Sequence, residues 1–344
     1  MPLVHSNGGY VPHCVSSLAE KGFCEVKVLV VGDLMLDRYI DGEVHRVSPE
    51  APVPVLSVQT ERNFAGGAAN VALNVAGLNA KVAVAGVIGG DSSGCCLLEV
   101  LEHAGVDIQC VIKDYSRPTT RKTRIVSGNH QIVRLDEECS DDLATDLQNE
   151  LLRKVITAIE YGVNVVILSD YAKGVLADPC PQMIISECNR RGVPLLVDPK
   201  RNDYMAYSGA TCITPNQKEF RSAALGMSIP QTDITVAGPV IRRRLDCKAL
   251  LVTQGRNGMT LVTADQCQHL AAIAEDVFDV SGAGDTVIAT LSVMLGAGFA
   301  FLPAVEVANA AASVVVKRAG TTPIAWNDLA GLAGVRDLAA VAKV

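Results

Sequence analysis

Asp279-Val280-Ser281-Gly282-Ala283-Gly284-Asp285-Thr286 is a glycine turn that ends in a carboxylate and opens onto an apolar, alanine-rich run. Gly282 and Gly284 carry no Cβ, so the backbone turns tightly there and brings its N–H groups close to a ligand. A helix starting at this point aims its unpaired first N–H groups, and the positive end of its dipole, at that ligand. Such a terminus receives phosphate, and Asp285 is expected where a charged acceptor faces the bound anion rather than the core. A phosphate-binding turn with a carboxylate beside it suits removal of a proton from a hydroxyl as that hydroxyl attacks a phosphoryl group. The same residues also fit a plain helix cap at Asp285 after an ordinary glycine loop.

Around this turn the chain alternates strand and helix patterns. Short continuous apolar runs at 26–31, 82–87, 163–168, 193–197 and 249–252 read as strands covered on both faces. Helical patterns at 68–78, 95–103, 143–159, 182–191 and 217–224 lie between several of them. The alternation predicts an α/β fold with a mostly parallel central sheet and helices on both faces. The charge-free run 286–305 has the length of a membrane span, but Gly296, Gly298 and Pro303 break it, and it reads as two buried helices. Two stretches depart from the rhythm: 53–58 and 119–134 read as antiparallel ribbons, the second turning at Ser127-Gly128-Asn129. Pro52 and Pro54 keep the first at an edge. Paired, the ribbons make a small sheet that shuts water out of a reacting centre. The expected boundaries are a loose extension over 1–24, a main domain over 25–335 whose lid comes from about 38–60 and 117–136, and a tail over 336–344.

Composition narrows the function. Apolar residues are 49% of the 344 and charged residues 19%, enough for a large core and against disorder. A net charge of −7 argues against nucleic-acid and anionic-membrane surfaces, and 4% aromatics argues against base-stacking platforms. Eleven cysteines form no Cys-x-x-Cys pair, which reads as reduced thiols in a cytoplasmic protein. Residues 1–24 lack the basic start and apolar segment of a signal peptide. No Gly-Lys-Ser/Thr occurs, Gly32 sits in no Gly-x-Gly-x-x-Gly, and the six histidines show no metal-ligand spacing. P-loop kinases, dinucleotide oxidoreductases and tightly held zinc are thereby disfavoured.

A second glycine cluster, Ala65-Gly66-Gly67-Ala68-Ala69-Asn70-Val71-Ala72, precedes a helix pattern. Its glycines permit close backbone approach, and Asn70 offers donor and acceptor to sugar hydroxyls. A close helix–strand contact would explain the cluster equally well. Together with Gly32-Asp33 and Asp37, the two clusters resemble those of the ribokinase-like (PfkB) carbohydrate kinases, from about residue 26 to 322. Within that family, Gly32-Asp33-Leu34-Met35-Leu36-Asp37-Arg38-Tyr39, Arg46-Val47-Ser48-Pro49-Glu50-Ala51-Pro52-Val53-Pro54-Val55 and Ser169-Asp170-Tyr171-Ala172-Lys173-Gly174 resemble the D-glycero-β-D-manno-heptose-7-phosphate kinases. The resemblance implies ATP-dependent phosphorylation at the anomeric C1 hydroxyl, giving the 1,7-bisphosphate that feeds ADP-heptose synthesis for the lipopolysaccharide inner core. Many such relatives continue into a nucleotidyltransferase domain. This sequence ends at Val344 without a His-x-Gly-His, and the expectation is a stand-alone kinase. Ser281 stands where many relatives carry threonine, which keeps the hydroxyl.

The resemblance also implies roles. Asp285 takes the proton from the C1 hydroxyl, while the N–H groups of Gly282, Ala283 and Gly284 hold the charge of the transferred phosphoryl group. Asn216 and Glu219 organise Mg²⁺ and its waters, though the pair also fits an N-cap with its capping glutamate. Thr253, Gly255 and Gly258, in Thr253-Gln254-Gly255-Arg256-Asn257-Gly258, lie along the nucleotide, or form a plain hairpin turn. Asp33, Asp37, Gly66, Gly67 and Asn70 are the expected sugar contacts, because carboxylates at strand C-terminal ends face the ligand crevice of an open α/β sheet. A turn cap is the other reading of Asp33. The 7-phosphate needs cations, for which Arg121, Lys122, Arg124 and Lys200 are the candidates. Asp170 and Lys173 shape the crevice or form a structural pair. The cofactors expected are ATP and the Mg²⁺ that arrives with it, with no tightly bound metal site in the protein. Apolar lid edges at Val53, Val55 and Ile125 favour a homodimer. A kinase of the same fold acting on another sugar, sugar phosphate or nucleoside is the nearest alternative, and a non-catalytic sugar-binding protein a second.

Overall fold

A computed structural model describes residues 23–128, 130–229, 233–274, 277–318 and 320–330. In chain order its strands are β1 (Lys27–Gly32), β2 (Leu34–Val47), β3 (Pro54–Gly67), β4 (Lys81–Gly89), β5 (Asp107–Asp114), β6 (Thr120–Ser127), β7 (His130–Glu137), β8 (Val165–Ser169), β9 (Leu195–Asp198), β10 (Cys212–Ile213), β11 (Ala249–Thr253), β12 (Met259–Val262) and β13 (Cys267–Leu270). Its helices are α1 (Ala68–Gly77), α2 (Ser92–His103), α3 (Thr145–Glu160), α4 (Cys180–Arg191), α5 (Gln217–Gly226), α6 (Ile234–Arg244), α7 (Ala283–Gly296), α8 (Phe301–Val315) and α9 (Trp326–Ala330).

Nine strands form the central sheet in the order β13-β12-β11-β10-β9-β8-β1-β4-β5, parallel from β11 to β5, with β12 and β13 antiparallel at one edge. The continuous apolar runs follow from burial on both faces. Val28 and Val30 of β1 join the core beneath α1, α7 and α8, whereas Leu29 and Val31 join the core beneath α3, α4 and α5. The run after the glycine turn becomes α7 and α8, and residues 285–294 of α7 are buried all round. No helix among the described residues is long and apolar enough to cross a membrane.

The chain leaves β1 towards β4 on one side, and β8 lies on the other, so the strand order reverses between β1 and β8. Ligands of open α/β sheets bind outside the strand C-termini at such a point. Gly32 is required there: a Cβ on it would come within 2.0 Å of the Ser169 carbonyl oxygen of β8.

The remaining four strands form a separate sheet, β3-β2-β6-β7. The ribbon expected at 53–58 is the outer part of a longer hairpin, β2–β3. Both of its strands begin in the core: Leu34–Asp37 of β2 and Ala65–Gly67 of β3 are buried, while their distal halves are exposed. The hairpin's register shifts between Asp41 and Gly42, a β-bulge. β6 joins β2 in parallel and pairs β7 antiparallel; Asn129 of the expected turn lies outside the described residues. One expectation is corrected here. Ile125 is not on an edge, because β6 is flanked by β2 and β7; the edge strands are β3 and β7. Residues 1–22 and 331–344, most of the expected extension and all of the expected tail, also lie outside the described residues. Phe23, at the end of the expected extension, is buried edge-to-face against Trp326, with ring centroids 5.5 Å apart.

Candidate active site

The two glycine clusters, far apart in sequence, meet at the N-termini of α1 and α7. Gly282 caps α7 with φ 77°, in the left-handed region that glycine tolerates. Asp279 fixes the turn by accepting from the N–H groups of Ser281 (2.8 Å) and Gly320 (3.0 Å). In the first turn of α7, Asp285 is only 5% exposed. Its Oδ2 accepts from Asn70 Nδ2 of α1 at 2.6 Å, and its Oδ1 from the Tyr171 hydroxyl at 2.8 Å. Asn74 ties the helices one turn further on, bonding the Asn70 carbonyl (2.8 Å) and the Thr286 hydroxyl (2.8 Å). Burial pushes the Asp285 carboxyl up to about 6, against the pull of its two hydrogen bonds and with a smaller push from the Asp37 charge. At neutral pH the carboxyl is ionised, with a proton affinity that suits acid–base work.

Asp285 lines a cavity of about 190 Å³ with Tyr171, Asp198, Lys200, Asn216 and Glu219. A second cavity, of about 410 Å³ and more apolar, adjoins it through shared Asn216, Thr253, Gly284 and Val287. Gly255 and Gly258 line this second space, each at positive φ in a tight turn after β11. The result is a two-compartment site, one end polar and carrying Asp285, the other apolar enough for a heterocycle. A larger cavity of about 690 Å³ lies at the opposite, N-terminal ends of β1 and β4 beside Lys27 and Lys81, and none of the glycine-turn residues reaches it.

Asn216 and Glu219 satisfy both readings of their motif. Asn216 Oδ1 accepts from the Lys218 and Glu219 N–H groups (2.9 and 3.0 Å), and Glu219 accepts in return from Asn216 N (2.9 Å), a complete capping box that also faces the cavity. Lys200 bonds Glu219 at 3.2 Å. Beside them, Asp198 is pushed well above the usual carboxylate range by burial and then by the Asp285 and Glu219 charges. Glu219 and Asp285 bring carboxylate charge to the cavity beside Lys200, and hard oxygen donors of this kind suit Mg²⁺. Among the described residues, no group of three or more His, Cys, Asp or Glu is arranged to hold a metal by itself.

Several sequence expectations are redrawn. Asp33, 2% exposed, turns both oxygens away from the crevice and onto the loop after β8, accepting from the N–H groups of Tyr171 (2.7 Å), Lys173 (3.2 Å) and Val175 (3.3 Å). Burial, then the charge of Asp170, pushes its carboxyl up to about 6 despite those bonds. These bonds make it the anchor of the loop after β8, in keeping with the turn-cap reading. The Ala283 N–H, one of the three expected donors of the turn, is already occupied by the Val280 carbonyl at 3.2 Å. The four proposed 7-phosphate cations do not converge. Lys122 and Arg124 share one face of β6 with Asp37, because strand side chains alternate. Arg121 points to the other face, where Ser93 (3.0 Å) and Glu137 hold it. Lys200 stands across the cavity by Glu219.

On the lid's inner face Arg124 pairs with buried Asp37 at 2.7 Å and lies 5.1 Å over the Tyr39 ring. Gly66 packs against this pair, since a Cβ there would sit 2.9 Å from Asp37 Oδ2. Lys122 pairs with Glu138 (3.1 Å), which also binds Lys173 (2.7 Å) and so links lid to main domain. Glu138 and Asp198 were not singled out from sequence, nor was Tyr171 as an individual residue. The Tyr171–Asp285 contact joins positions 114 residues apart and leaves no local signal.

The sequence matches a family model described as pfkB family carbohydrate kinase over residues 26–328. The chain is 46% identical over 303 residues to the bifunctional protein HldE of Methylobacillus flagellatus, covering 88% of this chain and 62% of that protein. It is 40% identical over 321 residues to bifunctional protein HldE of Geobacter sulfurreducens, covering 93% and 65%. The chain thus spans less than two thirds of these relatives' length. Among solved structures, Arabidopsis thaliana ribokinase complexed with ribose and ATP matches with TM-score 0.67 at 22% identity, covering 90% of this chain and 99% of that one. The tetrameric inhibited form of Escherichia coli phosphofructokinase-2 matches with TM-score 0.73 at 18% identity, covering 93% and 100%. At these identities the likeness is one of fold, a ribokinase-like mixed sheet between helices with a smaller four-stranded sheet.

Proposed function

The chain belongs to the pfkB family of carbohydrate kinases, and from that premise we propose that it transfers the γ-phosphoryl group of ATP to the C1 hydroxyl of D-glycero-β-D-manno-heptose 7-phosphate. The product is the 1,7-bisphosphate used in ADP-heptose synthesis for the lipopolysaccharide inner core. The observation that carries the chemistry is Asp285: a buried carboxylate on the first turn of α7, held by one donor on each oxygen, at the wall of the polar cavity. The sugar's C1 hydroxyl gives its proton to Asp285 as its oxygen bonds to the γ-phosphorus, and the bond from that phosphorus to the β,γ-bridging oxygen breaks, releasing ADP. Gly282 and Gly284 offer backbone N–H groups, and α7 its positive dipole end, to the oxygens of the transferring group. The apolar cavity past Gly255 and Gly258 takes the adenine. Mg²⁺ arriving with ATP, held through Asn216 and Glu219, would neutralise phosphate charge. Lys122 and Arg124 on the lid's inner face are the cations for the 7-phosphate. Exposed Val47, Val53 and Val58 on the lid support pairing of two lids into a homodimer, which light scattering would read.

The test is ATP-dependent turnover across a panel of sugar phosphates, with the position of the new phosphate assigned by NMR. Heptose 7-phosphate should give the highest kcat/KM and a C1 phosphate. Turnover of a hexose phosphate with none of the heptose would overturn the substrate, and near-full turnover by folded Asp285→Asn would overturn the base.

A further inference from the structure

The loop between β8 and α4 is constrained far beyond what a connection needs. Asp33 grips the N–H groups of Tyr171, Lys173 and Val175. Ala172 is held at φ 55° in the left-handed region, unfavourable for a residue with a Cβ, and its N–H donates to Asp170 at 2.7 Å. Gly174, at φ 89°, passes so close to the chain that a Cβ would lie 2.0 Å from the Asp141 carbonyl oxygen. Strain of this kind persists where the surroundings over-determine it, and it clusters at working sites. What the strained turn delivers to the cavity is one phenol, with its hydroxyl 2.8 Å from Asp285 Oδ1.

The geometry points to Tyr171 as a positioning residue for Asp285, a role that rests on the assignment of Asp285 as the base. Asn70 and Tyr171 take one carboxylate oxygen each, from opposite sides of the site, and so fix the plane of the group while leaving its outer lone pairs for the substrate hydroxyl. Tyr171 is anchored at both ends, its N–H by Asp33 and its hydroxyl by Asp285. Hydrogen bonds to the charged form favour that form. Tyr171 therefore keeps the base ionised in a place where burial works the other way. The other charged groups around the carboxylate are Asp37 from β2, Asp198 from the end of β9, Asp170 after β8, and Lys200 and Glu219 across the cavity. Arg124 pairs with Asp37 at 2.7 Å and Arg201 with Asp170 at 3.0 Å, so those two acids carry their own cations, and Asn70 and Tyr171 are the donors that reach the Asp285 carboxylate itself. Burial and the Asp285 charge push the phenol's own ionisation well above its usual range, so it stays a donor at every working pH.

The test uses the full chain labelled with 13C at the aspartate side-chain carboxyl carbon. Asp285 is titrated by NMR and its resonance identified by its loss in Asp285→Asn. Tyr171→Phe should raise the Asp285 midpoint by about one pH unit, the size of one hydrogen bond to a charged group. The acid limb of kcat/KM for heptose 7-phosphate should move with it. Installing 3-fluorotyrosine at 171, a stronger donor of nearly the same shape, should move the midpoint down. A midpoint unchanged in both variants overturns the proposal. Full turnover by Asp285→Asn would overturn the base assignment instead, a result the titration does not depend on.

Discussion

Gly282 and Gly284 are one residue apart in the same turn, yet an alanine at each should do opposite things. At Gly282 the backbone has φ 77°, where a side chain costs about 1–2 kcal/mol. The added carbon would lie 2.9 Å from Asn70 Nδ2 and 3.4 Å from Thr321 Cγ2. Asn70 cannot swing aside freely, being 1% exposed and bonded to Asp285 at 2.6 Å. Displacing it breaks a hydrogen bond to a charged acceptor, worth about 1.5–3 kcal/mol. Relaxation will recover part of the sum, so Gly282→Ala should lose about 2–4 kcal/mol in urea unfolding. Because the base is shifted with Asn70, kcat should fall about a hundredfold. At Gly284 a Cβ meets nothing within 4 Å and the site is helical, where alanine gains about 0.5–1 kcal/mol over glycine. That open space is the wall shared by the two cavities, so Gly284→Ala should match or exceed the wild type in stability while KM for ATP rises. The assays are urea denaturation followed by far-UV circular dichroism and a coupled ADP-release assay. A Gly282→Ala protein with wild-type stability and kcat would refute the reasoning, as would Gly284→Ala proving the less stable of the two.

Other outcomes follow from the charges. The Asp285 carboxyl titrates at about 6 in the folded protein against the usual 3.8, so the native state binds the proton more tightly than the unfolded chain. Its contribution to stability is full below about pH 4 and lost as pH rises through about 6. Asp285→Asn, which does not titrate, should therefore gain on the wild type over that interval by at most about 3 kcal/mol, and a constant difference between pH 4 and 7 would count against it. Lys200→Ala should raise KM for ATP with little change for heptose 7-phosphate. Arg124→Ala should do the reverse and also cost about 3 kcal/mol by leaving Asp37 buried without its cation. Initial rates with each substrate varied in turn would show whether the two effects separate.

What could be read in advance was the part of the molecule encoded locally. The runs at 26–31 and 163–168 name their strands because both faces are covered, and the glycine turn before α7 names its helix terminus. β2 escaped notice because its pattern changes along its length: Leu34–Leu36 is continuously apolar in the core, and the charged stretch beyond is exposed in the lid. The site divided in the same way. Glycines and the capping box are local devices and were visible. The direction of a side chain on β6 needs the register, so Arg121 was grouped with neighbours it turns away from. The anchoring bonds of Asp33 carry no local signal, because its three partners lie some 140 positions downstream.

The lid has no linker. β2 and β3 run unbroken from the core, where Asp33 grips the loop after β8 and Gly67 starts α1, to the exposed tip. The pair is a cantilever clamped at its root, and the register shifts at Asp41/Gly42 and at Val44/Arg46 are its pliable notches. Load applied to the tip is carried back to Asp37 and the floor of the proposed sugar pocket, so in that reading grip on the sugar and posture of the tip are mechanically one variable.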